Sequence, residues 1–382
     1  MVDDLLCISE CGHRTAMMNS FICFKTNSKK LQFGAEKCKK LHVGHEMKEY
    51  KCQDLAVDKW SEVEIKNEET DEWTTNDVWT GEHIMEEKTA ERYLGDVIST
   101  NGQNLKNIKA RIAKGKGIVN KIFTMIDGFH FGKQYFEVGI LLRNSLLVSS
   151  MLFNSEAWYN LTETELNLLE TIDLQFLRQL LKAPKGTPKE MLFLELGCMP
   201  YRDIIRERRL GFLHYILNED QESMVNRFFH SQMKMRTKKD WVTTVLEDLK
   251  YLGLSDMSME KIRKMKKVCF MKLVKSSNKS HTFEKLQKIK FSHTKVKNLE
   301  HNSLKMQKYL QPNQTKITNE EAQLVFKLRC RVTNTKVNLK VKYDLLECDA
   351  CGREDETQEH ILLCTDINTN KLGLSCAKLR ES

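Results

Sequence analysis

The 382-residue sequence is poor in proline, and it lacks a long uninterrupted apolar run. Only 4 prolines occur, so the chain is neither collagen-like nor a proline-rich low-complexity protein, and long helices are allowed. The most apolar stretch, 138–153, is interrupted by Arg143 and Asn144 and is shorter than the roughly 20 apolar residues of a membrane span. We therefore expect this stretch to be a buried core helix in a mainly helical protein that has no membrane partner.

We expect no secretory signal, because residues 1–4 (MVDD) are not a basic segment followed by an apolar one. The 12 cysteines are spread through a chain in which 30% of the residues are charged, unlike those of a short disulfide-rich domain. We expect reduced thiols or metal ligands in an intracellular compartment. The five basic residues within 261–267 are interpreted first as a solvated helix face, and alternatively as a nuclear localisation patch.

The formal charge of +9 is distributed unevenly along the chain. Residues 46–92 carry 15 acidic and 6 basic side chains, so the rest of the chain carries +18. Residues 97–126 contain 6 basic and no acidic side chains, and residues 255–310 contain 15 basic and 4 acidic ones. One such block is usually a solvated helix face. Two in one chain favour RNA or DNA as a partner, because neutralising phosphates is the main source of nucleic-acid affinity.

Apolar periodicity predicts strands in the first hundred residues and helices after them. Short strands are expected at 5–9, 39–43 and 93–98, and the acidic region between the last two is expected to be an irregular β-rich insertion. Apolar residues at three- and four-residue steps predict an amphipathic helix over 105–126. Gly115 and Gly117 are each expected to weaken this helix by about 1 kcal/mol.

Capping signals place several later helices. Thr162 with Glu165 forms a capping box, and Thr187 with Glu190 repeats that signature with a proline between them. Gly197 is expected to end the helix that the second signature begins. Further helices are predicted at 203–217, 224–235, 241–252, 259–274 and 320–330.

Near the C-terminus, Cys348, Cys351, His360 and Cys364 form the pattern C-x2-C-x8-H-x3-C. The two-residue gap lets a tight turn aim two thiolates at one point, and His360 and Cys364 are one helical turn apart. Four such ligands with no open position suit a structural, tetrahedral Zn2+. The alternative, two ordinary buried cysteines and a surface histidine, leaves the joint spacing unexplained. The acidic side chains around this knuckle argue against a simple phosphate clamp.

A second candidate metal site lies at the other end of the chain, where Asp3 and Asp4 precede an apolar stretch. Adjacent carboxylates offer the hard oxygen ligands that hold Mg2+ during phosphoryl transfer. The pair alone is a weak signal, and in isolation a solvated terminus is the preferred interpretation.

The order of these features resembles the reverse transcriptases of non-long-terminal-repeat (LINE-type) retrotransposons. Residues 1–6 (MVDDLL) resemble their catalytic aspartate turn, and residues 33–44 (FGAEKCKKLHVG) resemble the palm motif that follows it. Residues 92–99 (RYLGDVIS) are similar to the primer-grip hairpin. The basic helices after Gly102 fall where such enzymes carry their thumb, and residues 348–364 resemble the zinc knuckle of one branch. The resemblance covers nearly the whole chain, with the motifs in the family's order.

The resemblance implies a role for each matching residue. Asp3 and Asp4 correspond to the catalytic pair, which binds Mg2+ only in a complete active site, and Lys37 corresponds to the palm lysine near the nucleotide's phosphates. The primer grip would consist of Tyr93, Leu94 and Gly95. The thumb would contact the nucleic-acid backbone through Lys106, Lys109, Arg111, Lys114, Lys116 and Lys121.

The implied fold class is mainly α with a small α+β remnant. The expected domains are a palm remnant with the acidic insertion (1–100), a helical thumb (101–236), a basic helical linker (237–340), a CCHC zinc knuckle (341–366) and a tail (367–382). In the family, the fingers and the first metal-binding aspartate precede the aspartate turn, so the resemblance leads us to expect that both are missing from these 382 residues, and that the residues after Cys364 are too few for an endonuclease domain. We therefore expect a truncated chain that is inactive as a polymerase and retains RNA or DNA binding.

Two alternatives to this expectation stay open. In the first alternative, the start of the chain is misplaced, and a longer product is an active RNA-directed DNA polymerase. In the second, the acidic insertion and the knuckle form a protein-interaction module.

Overall fold

The computed structural model describes a mainly helical chain that divides into two compact units, 1–110 and 111–382. The coarse prediction of a mainly α protein is confirmed. The described residues are 18, 22, 38–41, 56–66, 73–84, 86–93, 95–100, 104–129, 131–235, 240–293, 295–313, 317–338 and 345–364.

The described residues of the first unit form three two-stranded sheets. Strand β1 (Lys39–Leu41) pairs in parallel with β4 (Glu86–Lys88). The acidic region forms a long antiparallel hairpin of β2 (Ala56–Lys66) and β3 (Trp73–Ile84), with one irregularity after Lys59. The β-rich prediction for this region is therefore confirmed, but its ladder is more regular than expected.

The predicted strand at 93–98 is instead a hairpin of β5 (Ala90–Tyr93) and β6 (Asp96–Ser99). The single-strand prediction was wrong because Gly95 has a φ of +90°, which reverses the chain between the two strands. Within the first unit, Asn107 holds this hairpin: its Nδ2 donates to Asp96 Oδ1 at 2.9 Å, and its Oδ1 accepts from the Val97 N–H at 3.3 Å.

Helix α1 (Leu105–Phe129) confirms the amphipathic helix predicted at 105–126. Its buried face includes Ile108, Val119, Ile122 and Ile126. The two glycines differ: an added Cβ at Gly115 would lie 2.6 Å from the Met151 Sδ atom, whereas one at Gly117 would meet nothing within 4 Å. Of these two glycines, Gly115 alone permits a close approach to another segment.

Residues 138–151 form half-buried rather than fully buried helix, and residues 152–153 lie in a turn, which corrects the prediction of a buried core helix. Helix α2 (Tyr135–Leu142) continues through a π-helical segment (Arg143–Val148) and one further short segment (Ser149–Met151). Arg143, at 1% exposure, makes a bidentate ion pair with Asp173, with both N–O distances at 2.6 Å. The apolar run thus contains a buried charge because its partner lies on another helix. None of the helices in the described part of the chain combines the length and apolar character that crossing a bilayer requires.

Helix α3 (Glu163–Leu180) begins with the predicted capping box: the Glu165 N–H donates to Thr162 Oγ1, and Glu165 accepts from the Thr162 N–H. The second capping prediction was wrong. Helix α4 (Lys189–Leu196) begins after Pro188 without a side-chain cap, because Glu190 is buried within 3.4 Å of His293 Nε2 instead. The predicted stop is confirmed, since Gly197 ends α4 with a φ of +67°.

Four more helices confirm their predictions to within one or two residues. They are α5 (Tyr201–Asn218), α6 (Met224–Met235), α7 (Trp241–Tyr251) and, later in the chain, α10 (Asn319–Arg329). Leu213 of α5, Phe229 of α6 and Val245 of α7 contribute to one hydrophobic cluster.

The helix predicted at 259–274 is two helices, α8 (Met259–Lys264) and α9 (Lys267–Ser292). The chain between them is extended, and the Met265 carbonyl is 2.8 Å from Nε2 of the buried His214. The buried positions of α9 recur every four residues, but half of them are polar. Apolar periodicity alone therefore does not predict the full length of this helix. They are Phe270, Val274, Asn278, Thr282, Leu286 and Lys290.

Glu195, at the end of α4, anchors the chain that leads to the C-terminal knuckle. Its fully buried carboxylate accepts from Tyr309 OH at 2.6 Å and from Arg329 Nε at 3.1 Å, and it lies 3.0 Å from His301 Nε2. Burial raises the pKa of Glu195, but the hydrogen bond from His301 and the charge of Arg329 outweigh it, so the pKa lies below its ordinary value. This carboxylate joins α4 to residues 301–309 and to α10.

Candidate metal centre and lysine-rich helix

The first two candidate ligands lie on a tight turn. An antiparallel bridge between Glu347 and Asp355 closes the loop, and the Cys348 N–H donates to the Glu354 carbonyl at 2.8 Å. The Gly352 N–H donates to the Cys348 carbonyl at 2.8 Å, and Gly352 has a φ of +61°. Glycine adopts this left-handed conformation without steric cost, so the backbone turns back directly after Cys351.

The other two ligands are placed by a short helix, α11 (Gln358–Leu363). Thr357 caps it by accepting from the His360 N–H at 3.0 Å. Cys364 follows the helix, and its N–H donates to the His360 carbonyl at 2.6 Å. Thr357 therefore sets the start of the single turn that carries one ligand in the helix and the other at its end.

The structure brings all four predicted ligands together. Their ligand atoms lie within 4.8 Å of one another, and Cys351 Sγ is 3.2 Å from His360 Nε2. In a tetrahedral zinc site with Zn–S bonds of about 2.3 Å, sulfur atoms are separated by roughly 3.8 Å. Two ligand atoms at the 4.8 Å limit would reach this spacing if each moved by about 0.5 Å. These four residues could hold a metal ion, and the set of three thiols and one imidazole is compatible with structural zinc.

The electrostatics of the cluster favour cation binding. Backbone hydrogen bonds, from Arg353 first, lower the pKa of Cys351 to about 6, with His360 contributing further. Desolvation lowers the pKa of His360, but hydrogen bonds with Cys348, Cys351 and Glu354 outweigh it and raise that pKa. Cys351 is therefore a thiolate near neutral pH, the form that binds metal, and metal binding at His360 displaces a proton.

Glu354 is a site residue that the sequence analysis missed. Its Oε2 lies 3.0 Å from His360 Nδ1, on the opposite side of the ring from the nitrogen that faces Cys351. A carboxylate in this position orients a metal-binding histidine and raises its basicity. The only signal in the sequence was an acidic residue six positions before the histidine, which is too common to be diagnostic.

The knuckle is attached to the segment that precedes it. Gln358 Nε2 donates to the Leu328 carbonyl of α10 at 2.7 Å, and the Lys336 N–H donates to Glu356 at 3.0 Å. Lys336 Nζ also pairs with Asp349 at 2.5 Å. The cluster is therefore held beside the end of α10, which Glu195 connects to α4.

The predicted thumb residues separate into exposed and buried ones. All five lysines of α1 are exposed. Lys106 donates to Thr89 Oγ1 at 3.1 Å within the first unit. Arg111 is only 6% exposed; it donates to the Ser150 carbonyl at 2.9 Å and lies 5.2 Å from the ring centre of Trp158. The assignment of Arg111 to a nucleic-acid contact is therefore wrong, because its guanidinium group packs in the protein interior.

The second basic block shows a similar division. The five basic residues within 261–267 are exposed, as their interpretation as a solvated face requires, whereas Ile262 among them is buried. These basic residues are Lys261, Arg263, Lys264, Lys266 and Lys267. Lys290, by contrast, is 1% exposed and donates to the Leu299 carbonyl. Sequence charge alone therefore overstates the positive surface of α9.

Most residues that the reverse-transcriptase resemblance matched in the first hundred positions cannot be placed. Asp3, Asp4, Lys37 and Leu94 lie outside the described residues. Tyr93 ends β5, and Gly95 lies in the turn that follows.

No protein-family model, curated protein or solved structure matches this chain. What is observed is a mainly helical chain with a cluster of three cysteines and one histidine, and with a helix whose five lysines are exposed. The function has to be argued from these two features.

Proposed function

We propose that this protein binds RNA or DNA through the exposed lysines of α1. The arrangement of these lysines is the observation that carries the proposal. At 100° per residue, Lys109 and Lys116 form one row along the helix, and Lys114 and Lys121 form a second row about 140° away. The members of each row are about 10.5 Å apart, roughly three base-pair steps of 3.4 Å.

The surface between the two rows supports close approach of a phosphate backbone. It points away from the buried face and includes Ala113 and Gly117, and Gly117 has open space in front of it. No acidic residue occurs on α1 before Asp127. The positive charge is therefore uncompensated along most of the helix, as polyanion binding requires.

We further propose that the chain is part of a reverse transcriptase of the non-long-terminal-repeat class, with α1 in its thumb. The support is the order of sequence motifs and the position of the β5–β6 hairpin directly before α1, where the family carries its primer grip. The catalytic alternative predicts Mg2+-dependent primer extension that is abolished by Asp3→Ala. Without such activity, nucleic-acid binding is the function that the geometry supports.

Zinc is the ion that we propose for the cluster of Cys348, Cys351, His360 and Cys364. All four positions of a tetrahedral ion would be filled by the protein, which leaves none for substrate and makes the role structural. The metal would hold the turn against α11 and so stabilise the knuckle beside α10.

A salt titration of nucleic-acid binding tests the main proposal. We expect log K for a duplex and for a single strand to fall linearly with log salt concentration, because bound lysines release counterions. Absence of salt-dependent binding would refute it. Fluorescence anisotropy with the full chain measures both substrates under the same conditions.

A further inference from the structure

Helix α6 (Met224–Met235) presents one face to the core and a different, apolar face to solvent. On the inner face, Phe229 is 4% exposed, and Asn226 Nδ2 donates to the Ile216 and Glu219 carbonyls at 3.1 and 3.3 Å. The outer face carries Met224, Phe228 and Met235, which are 69%, 63% and 72% exposed. At 100° per residue these three side chains lie within about 40° of one another, directly opposite the inner face. We call them the outer stripe of α6.

A row of positive charge lies about a quarter of a turn from the outer stripe. Arg227 and Lys234 are both exposed and, being seven residues apart, form a row about 90° around the helix from the stripe. In the described part of the chain, neither side chain takes part in an ion pair. The sequence 223–239 contains five basic residues and no acidic one. Two of these five basic residues belong to α6, and Arg236, Lys238 and Lys239 follow it in the sequence, outside the described residues. The charge complement of this part of the sequence is therefore an anion.

An unpaired nucleic-acid strand matches both features better than a duplex does. A duplex offers phosphates but keeps its base faces stacked inside, whereas a single strand offers phosphates together with free base faces. Aromatic side chains form stacking platforms for such bases, and methionine sulfur makes favourable contacts with aromatic rings. Phe228 lies in the middle of the stripe with a methionine towards each end, next to Arg227.

We propose that the outer stripe of α6 binds an unpaired segment of RNA or DNA, with Phe228 stacking on a base and Arg227 and Lys234 contacting phosphates. The proposal rests on the proposed nucleic-acid-binding function and adds a substrate class to it. The proposal assigns the binding of unpaired nucleic acid to α6, whose outer stripe is a different site from the lysine rows of α1.

Binding of labelled oligo(dT), oligo(rU) and a duplex of matched length to the full chain tests this proposal. We expect Phe228→Ala and Phe228→Leu to weaken single-strand binding at least about fivefold, the lower end of what one stacked base contributes. Phe228→Trp should retain binding, and duplex binding should change by less than twofold. The two single strands distinguish RNA from DNA. The matched control is Phe291→Ala, which removes a phenylalanine of similar exposure, 61%, on another basic helix.

The outcomes separate this inference from the function on which it rests. Retained single-strand binding in Phe228→Leu would overturn base stacking and assign the stripe to apolar docking of protein or lipid, which anionic vesicles would identify. An equal loss in Phe291→Ala would also overturn it. If the α1 lysines are needed for all binding and Phe228 for none, the proposed function stands without this site. If Phe228 matters and the α1 lysines do not, the site on α6 stands and the role of α1 fails.

Discussion

Replacing Lys114, Lys116 and Lys121 with alanine removes three exposed charges from α1 without touching its buried face. If each lysine neutralises one phosphate of a duplex, the slope of log K against log salt should become less steep by about 2.7, at about 0.9 per phosphate. For a single strand the change is about 2.1, at about 0.7 per phosphate. The slope is a more specific readout than affinity because it counts phosphate contacts.

The size of this effect makes it measurable. Between 50 and 200 mM salt, the wild type should lose about 40-fold more duplex affinity than the triple variant, equivalent to about 2 kcal/mol. Anisotropy titrations at four salt concentrations determine the slope, and circular dichroism checks that the helices remain. The matched control replaces three exposed lysines outside α1, namely Lys182, Lys185 and Lys250, with alanine.

Two results would refute the reasoning. A triple variant that keeps the wild-type slope would show that α1 does not contact phosphates, and an equal change in the control would show that only net charge matters. Arg111→Gln provides an internal contrast. Because Arg111 is buried against Trp158 and the Ser150 carbonyl, this variant should lower thermal stability and leave the slope unchanged.

Three further predictions concern the metal centre, a buried carboxylate and a helix contact. Elemental analysis should find one Zn2+ per chain, lost in Cys351→Ser and retained in Cys269→Ser, an exposed thiol outside the cluster; unchanged metal in Cys351→Ser would contradict the assignment. Glu195→Ala should destabilise the fold by about 3 kcal/mol at neutral pH, because buried donors lose their acceptor. Since the folded-state pKa of Glu195 is lowered, the stabilisation that depends on its charge exists above its ordinary pKa near 4.5 and is lost as pH falls further. The difference in thermal unfolding between wild type and variant should therefore narrow in acid, and a pH-independent difference would refute this. Gly115→Ala should destabilise the folded protein by about 1–3 kcal/mol through overpacking, whereas Gly117→Ala should stabilise it by up to about 1 kcal/mol. Denaturant unfolding measures both changes, and equal effects of the two substitutions would contradict the close approach of Met151 to Gly115.

Features that depend on residues close together in the chain were predictable from sequence. The Thr162–Glu165 capping box and the stop at Gly197 were both predicted, because a cap or a left-handed turn involves only a few consecutive residues. The four ligands around Cys348 and His360 were predictable for the same reason, since a turn and one helical turn suffice to bring them together. The failed cap at Thr187 shows the limit: Glu190 has a competing neighbour, His293, from a distant part of the sequence.

Tertiary structure alone decided which charges are available to a partner. In sequence, Arg111 and the neighbouring lysines of α1 look alike, but packing buries Arg111 and leaves the lysines in solvent. Lys290 and Glu195 are likewise buried with partners that the sequence does not reveal. Lys290 donates to the Leu299 carbonyl, at a spacing that marks no regular structure, and Glu195 accepts from Tyr309, which is distant in the sequence. The physical reason is that a long charged side chain is buried only where other elements supply acceptors or donors, and local pattern does not encode which elements will meet. The sequence by itself determined the set of four candidate ligands and most of the helix-forming segments, whereas the fold decided that the basic side chains of α1 and α6 named above are exposed, Arg111 excepted.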